Sequence, residues 1–426
     1  MLFFSTKKIL LYTLLLFTVL VGCTSIPKSP TVSKTASHSN IPLEPQRFFA
    51  KSKFLDNGKN VRVYLSVHLG RDITLSQFKN DVSLLVNVYA DYTMGKVLLN
   101  PTVSLDEANM NKNGEWVDLW FDFLKIPNLQ NSGVVITEII DNLTKERVRS
   151  DMVFKQDSKL LSDNYLLFRS KNGQSLSPVL HNYVAWGDTL VLKSMLPDNQ
   201  QFKGSVFAYE FEQAMSPMSY LSKNNSKTLT VDSVFQVQAN VPFVLKSKGL
   251  IYFSRDSSDH FGISALAVDE RFPRITYPEK LLKPLVYMST NAENYDLKKS
   301  KDYKNTLDKY WLNLPIAQVT TASQTIKEYY KRVEEANQMY STYKEGWKTD
   351  KGMVWIIMGN PFRIAKSKEK EVWTYQRNGH QVSFNFFKRM NQFSDNHYEL
   401  QRNAEFQSVW FPMIEHWRNG ELTYLK

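Results

Sequence analysis

The residues of this chain that could do chemistry are few and widely spaced. The densest group is Glu115-Trp116-Val117-Asp118-Leu119-Trp120-Phe121-Asp122-Phe123. Its alternation predicts a β-strand with Val117, Leu119, Phe121 and Phe123 on one face and Trp116, Asp118, Trp120 and Asp122 on the other. Carboxylates beside aromatic rings suggest a sugar site. Asp118 and Asp122 are four residues apart, which on a strand is about 13 Å. The paired carboxyls of a glycosidase need roughly 5–9.5 Å. The spacing therefore argues against hydrolysis by this pair. Trp116 and Trp120 remain a candidate ligand or docking face, and packing against a neighbouring part of the chain is the simpler use for them.

Other reaction classes lack their residues. The histidines His38, His68, His181, His260, His380, His397 and His416 are scattered, with no pair at helical ligand spacing. The one cysteine is Cys23. There is no nucleophile elbow, phosphate loop or dinucleotide fingerprint. No metal and no cofactor are expected, and the chain does not read as an enzyme. Asp350 could act as an acid, but with Thr349 beside it a backbone-stabilising role is the stronger reading.

Thr349 and Asp350 sit in the stretch around which the chain is organised. Glu345 to Gly352 predicts a turn, with Gly346 and Gly352 supplying positive φ. Met353 to Met358 is a continuous apolar run, which predicts a buried central strand. Gly359-Asn360-Pro361 stops it. Trp347 is the large anchor expected to pack on that strand. Gly346, Trp347, Thr349, Asp350, Gly352, Gly359 and Pro361 together are similar to the signature of the GWxTD-domain family. The similarity extends upstream through Lys309-Tyr310-Trp311 and Glu328 to Asn337, and downstream through Glu371-Val372-Trp373-Thr374-Tyr375. The resemblance implies an envelope protein of Bacteroidota and brings no activity with it.

The start of the chain agrees with an envelope setting. Residues 1–22 read as a lipoprotein signal peptide, with Lys7 and Lys8 before an apolar segment and a lipobox-like Leu20-Val21-Gly22-Cys23. Lipid is expected on Cys23. Residues 23–45 form a Ser-, Thr- and Pro-rich tether, about 25 Å across as a flexible coil. No acidic cluster of the kind many surface-exported lipoproteins of Bacteroidota carry follows Cys23, and in this the chain resembles a periplasm-facing outer-membrane lipoprotein. The surface-exposed alternative stays open.

Residues 46–157 and 158–284 each show short alternating strands and predict two tandem β-sandwiches. Thr189–Leu192 and Ser205–Phe211 are expected to form a hairpin, and Thr228–Val231 a further strand. Residues 285–426 predict a GWxTD-like α+β domain. In it, Thr321 caps a helix whose Ile326, Tyr329, Tyr330, Val333, Ala336 and Tyr340 form an apolar stripe and whose charges, Arg332 and Glu335 among them, face solvent. Helices then lead into an antiparallel sheet. The net charge of +11 falls to about +9 without Lys7 and Lys8, and it favours anionic partners. Nucleic acid is not expected outside the cytoplasm. The function these features predict is a lipid-anchored, non-catalytic subunit or scaffold of an outer-membrane or periplasmic protein complex. The alternative is a module that binds peptidoglycan or another anionic glycan.

Overall fold

The computed structural model describes residues 48–129, 132–170, 176–195, 199–219, 228–256, 259, 261–316, 318–377 and 380–425. The expected signal peptide, Cys23 and the tether lie outside these residues. The chain is mainly β, with sheets that stack in layers and a C-terminal helical region.

The first two sheets come from β1 (Phe49–Asn57), β2 (Asn60–His68), β3 (Val82–Tyr89), β4 (Val97–Leu99), β5 (Met110–Asn113), β6 (Trp116–Leu124), β7 (Ser132–Asp141) and β8 (Arg147–Lys155), with α1 (Leu75–Asp81) between β2 and β3. Their orders are β1-β2-β6-β5 and β4-β3-β7-β8, antiparallel throughout. Register places Val61 opposite Phe123 and Val67 opposite Val117. Period-2 alternation then turns Val61, Val63, Leu65 and Val67 into one core with Val117, Leu119, Phe121 and Phe123. Thr74 begins α1 with a capping box completed by Gln77.

The next pair follows from α2 (Leu161–Asn164), β9 (Tyr165–Ser170), β10 (Ser177–Pro178), β11 (Tyr183–Ala185), β12 (Thr189–Ser194), β13 (Gln201–Phe207), β14 (Ser233–Gln238), β15 (Phe243–Val244), β16 (Gly249–Ser254) and β17 (Ile263–Val268). The orders are β10-β9-β12-β15 and β11-β17-β16-β13-β14, with β11–β17 the parallel pair. Leu167, Leu190, Leu192, Ile251 and Phe253 fill the space between them.

Alternation explains how the pairs join. The second face of β2 and β6 carries Tyr64 and Trp120, which meet Leu166, Phe168 and Val191 on the back of β9 and β12. The far face of the last sheet, with Phe207, Leu250 and Leu266, is covered by Tyr343 and Phe393. β9 and β12 are thus buried on both faces, which is why Leu166–Phe168 and Leu190–Leu192 read as unbroken apolar runs. The expected hairpin of residues 189–192 with 205–211 does not form. β12 pairs with β9 and β15 in one sheet, while β13 pairs with β14 and β16 in the other. Residues 228–231 are not a strand.

The remainder comprises α3 (Pro278–Leu282), α4 (Asn291–Lys299), α5 (Tyr303–Leu312), α6 (Val319–Tyr340), α7 (Asp350–Met358), β18 (Arg363–Lys366), β19 (Lys370–Arg377), β20 (His380–Lys388), β21 (Tyr398–Leu400) and α8 (Gln407–Asn419). The strands make one antiparallel sheet, β18-β19-β20-β21. Three expectations are corrected. The run Met353–Met358 is helical, because Thr349 caps it at one end and Gly359, at φ +73°, ends it at the other. Every residue of α7 is buried, so no polar face reveals the helical period. Thr321 lies inside α6, which begins at Val319 with Gln318 at its cap. Finally, Arg332 and Glu335 are buried rather than solvated.

Candidate functional site

The signature stretch is a packed joint between α6, α7 and the last sheet. Gly346–Lys348 forms a single 3-10 turn. Neither Gly346 nor Gly352 has positive φ; they are needed for close approach instead. A Cβ on Gly346 would lie 1.9 Å from the Ala336 carbonyl oxygen, and one on Gly352 would lie 1.9 Å from that of Gly346. Trp347 is 4% exposed. Its amide donates to Asn337 Oδ1 (3.1 Å), and its carbonyl accepts from Tyr287 Oη (2.8 Å). Lys348 reaches Glu345 at 2.8 Å and Glu210, in the segment after β13, at 3.6 Å. Thr349 Oγ1 donates to Gly346 O and accepts from Gly352 N, 2.7 and 3.0 Å away. Removing this cap in Thr349→Ala is expected to cost about 1 kcal/mol, read from thermal unfolding.

Asp350 is committed as well. Its carboxylate accepts from the Leu400 amide at 2.7 Å and from Arg402 Nη2 at 2.8 Å, tying α7 to the end of β21. It offers no free acid to a substrate. Behind it, Arg332 donates to the carbonyls of Ile356 and Ile357 at 3.3 Å each, and its guanidinium stacks over Trp417 at 4.9 Å. These carbonyls end α7, where a cation is favoured by the helix dipole. Gly359 leaves room for that guanidinium, and its carbonyl accepts from Tyr375 Oη (2.9 Å). Pro361 is half-buried just beyond.

The Trp/Asp face of β6 divides. Asp122 is held by Arg62 through two bonds of 2.7 Å, and that guanidinium covers the Trp120 ring at 3.7 Å. Trp120 also packs into the layer contact with the second pair of sheets. Asp118 is buried and accepts from Ser66 Oγ (2.5 Å) and Asn113 Nδ2 (3.2 Å). Trp116 differs: it lines a cleft of about 510 Å³ where the first sheets, the second sheets and α6 meet.

The cleft wall combines Trp116 with Arg169, Tyr183, Arg271, Phe272 and Glu334. Aromatic contacts set Trp116 in place, with His68 at 5.1 Å and His181 at 4.5 Å between ring centroids. Tyr183 continues the row to Phe272 at 4.7 Å. Most carboxylates in the wall meet a neighbouring side chain or amide, and Glu270 lines it as well. Glu115 meets His68 at 3.2 Å, Glu334 meets Arg274 at 3.3 Å, and Asp188 accepts from the Ala185 amide at 3.0 Å. Burial pushes the Glu334 carboxyl up, against the pull of Arg274. Arg169 and Arg271, by contrast, make no side-chain hydrogen bond or ion pair among the described residues. Sequence reading reaches Trp116 alone of this set; the guanidiniums stand on separate elements with no spacing to connect them. Among the described residues no group of His, Cys, Asp and Glu could hold a metal ion.

Residues 249–419 match the GWxTD domain. The match begins in β16, within the second pair of sheets, and runs through α8, so it takes in the signature and its packing partners. No curated protein matches the chain.

Proposed function

We propose that this GWxTD-domain chain is a lipid-anchored, non-catalytic subunit or scaffold of an outer-membrane or periplasmic assembly. The observation that carries the reading is how the signature is used: its polar groups bond its own neighbours, and none is turned toward a substrate. The acidic residues of β6 are likewise held by Ser66, Asn113 and Arg62. Stacked sheets that interlock with a helical domain suit a rigid spacer or platform. The lipobox-like sequence before Cys23 supports anchoring by the N-terminus.

Affinity purification of the tagged chain from gently solubilised membranes tests this. Other envelope proteins are expected in stoichiometric amounts, and Cys23→Ser is expected to move the chain out of the membrane fraction. Recovery of this chain alone overturns the scaffold reading. A second reading, binding of peptidoglycan or another anionic glycan, is favoured by one observation, the position of Trp116 in the cleft beside Arg169 and Arg271, which make no side-chain hydrogen bond or ion pair among the described residues.

A further inference from the structure

We propose that the cleft bounded by Trp116, Arg169 and Arg271 binds a carboxylate-bearing glycan fragment, an inference that rests on the second reading above. The proposal begins from charge. A wall with both signs of charge need not prefer an anion, so what matters is which charges are already met. Glu115, Asp188 and Glu334 are engaged with His68, the Ala185 amide and Arg274. Asp269 is engaged with Lys248 and Lys280, and Glu270, the fifth carboxylate of the wall, is not without a partner either. Arg169 is half-buried and makes no hydrogen bond or ion pair among the described residues, and Arg271 stands exposed at the rim in the same condition. Asp118 lies near enough to act on Arg169 electrostatically but does not bond it. A guanidinium presents a planar fork of N–H donors, which matches a carboxylate edge on.

The rest of the wall narrows the class. Trp116 is held by His68 and His181 and gives the cleft an aromatic wall. Amide-bearing Asn111, Asn113 and Gln338 also line it. Aromatic surface, amides and guanidiniums together suit a sugar ring that carries amide and acid substituents. About 510 Å³ falls in the range of small-ligand sites.

Isothermal titration calorimetry of the full chain decides it. The probes are N-acetylglucosaminyl-N-acetylmuramic acid, which carries a carboxylate, and N,N′-diacetylchitobiose, which has the same ring skeleton and amides without it. The acidic disaccharide is expected to bind at least about tenfold more tightly than N,N′-diacetylchitobiose, and more weakly as salt rises. Arg169→Gln should lose about tenfold in affinity for the acidic probe, while Arg169→Lys keeps part of it and both variants melt with the wild type. Should Arg169→Gln fail to fold, Arg271→Gln at the exposed rim supplies the same comparison. Equal binding of the two sugars, no binding of either at millimolar concentration, or binding of hexaglutamate alone each overturns the proposal. Any of those results leaves the co-purification test of the scaffold reading untouched.

Discussion

Gly346→Ala is expected to remove more than about 4 kcal/mol from the stability of the C-terminal region and to leave it protease-sensitive at 37 °C. The added methyl would sit 1.9 Å from the Ala336 oxygen, 2.6 Å from its carbonyl carbon and 2.8 Å from the Asn337 Cα. All three are backbone atoms of α6, so no side-chain rotamer change relieves the clash. Separating the turn from α6 would break the Trp347–Asn337 and Tyr287–Trp347 bonds and open the core around Trp347. Domains of ordinary stability have about 5–15 kcal/mol in total, so a loss this large leaves little. Gly114→Ala is the matched control. Its φ is +62° and a Cβ there meets nothing within 4 Å, so only backbone strain of about 1 kcal/mol is expected. Thermal unfolding with limited proteolysis measures both, and equal melting temperatures would show that Gly346 is not in close contact.

Glu371→Gln is expected to cost about 3 kcal/mol or more, because it leaves charges in the interior unmatched. Glu371 lies 2.9 Å from Lys351 and 3.9 Å from Lys366, and accepts from Trp373 Nε1 at 3.1 Å. Lys366 bonds Asp151 of β8 at 2.6 Å, and Asp151 accepts from Tyr92 Oη at 2.6 Å. The network therefore latches the last sheet to the first pair of sheets. Burial alone would push the Glu371 carboxyl up, but the ammoniums of Lys351 and Lys366 hold it down at about 2. A carboxyl depressed in the folded state stabilises above its ordinary value, 4.5, and loses that contribution as pH falls toward about 2. The wild type should thus lose stability across that window, and Glu371→Gln should lose less there while starting lower at neutral pH. Urea titrations at several pH values check it. A variant as stable as the wild type at pH 7 would contradict the latch. Adding Lys351→Met to Glu371→Gln should recover part of the loss, since it removes one unmatched charge.

The strands of the first sheets are legible because one face is apolar while the other carries polar residues such as Arg62, Ser66, Asp118 and Asp122 even where it is buried, so alternation survives in the sequence. Residues 61–67 and 117–123 are the clear cases. Legibility fails where an element is buried all round. Met353–Met358 shows neither period, and only the cap at Thr349 and the stop at Gly359 distinguish its helix from a strand. The expected pairing of β12 with β13 fails on another ground: neither run says which sheet it joins. Arg332 and Glu335 looked like surface charges, since a sequence does not show that α7's carbonyls and the Trp355 indole await them. Of the cleft, Trp116 was visible through its strand. Arg169, Arg271 and Glu334 come together only when the sheets stack.

Amide hydrogen exchange across Gly346–Met358 in the purified chain tests most directly whether the signature is a folding element. Burial and the bonds at Trp347, Thr349, Gly352 and Met353 place these amides among the slowest of the protein, exchanging only on global unfolding whether or not partners are present. Exchange within seconds in the isolated chain, with protection appearing only when an envelope partner is added, would contradict the account and make the signature a docking site.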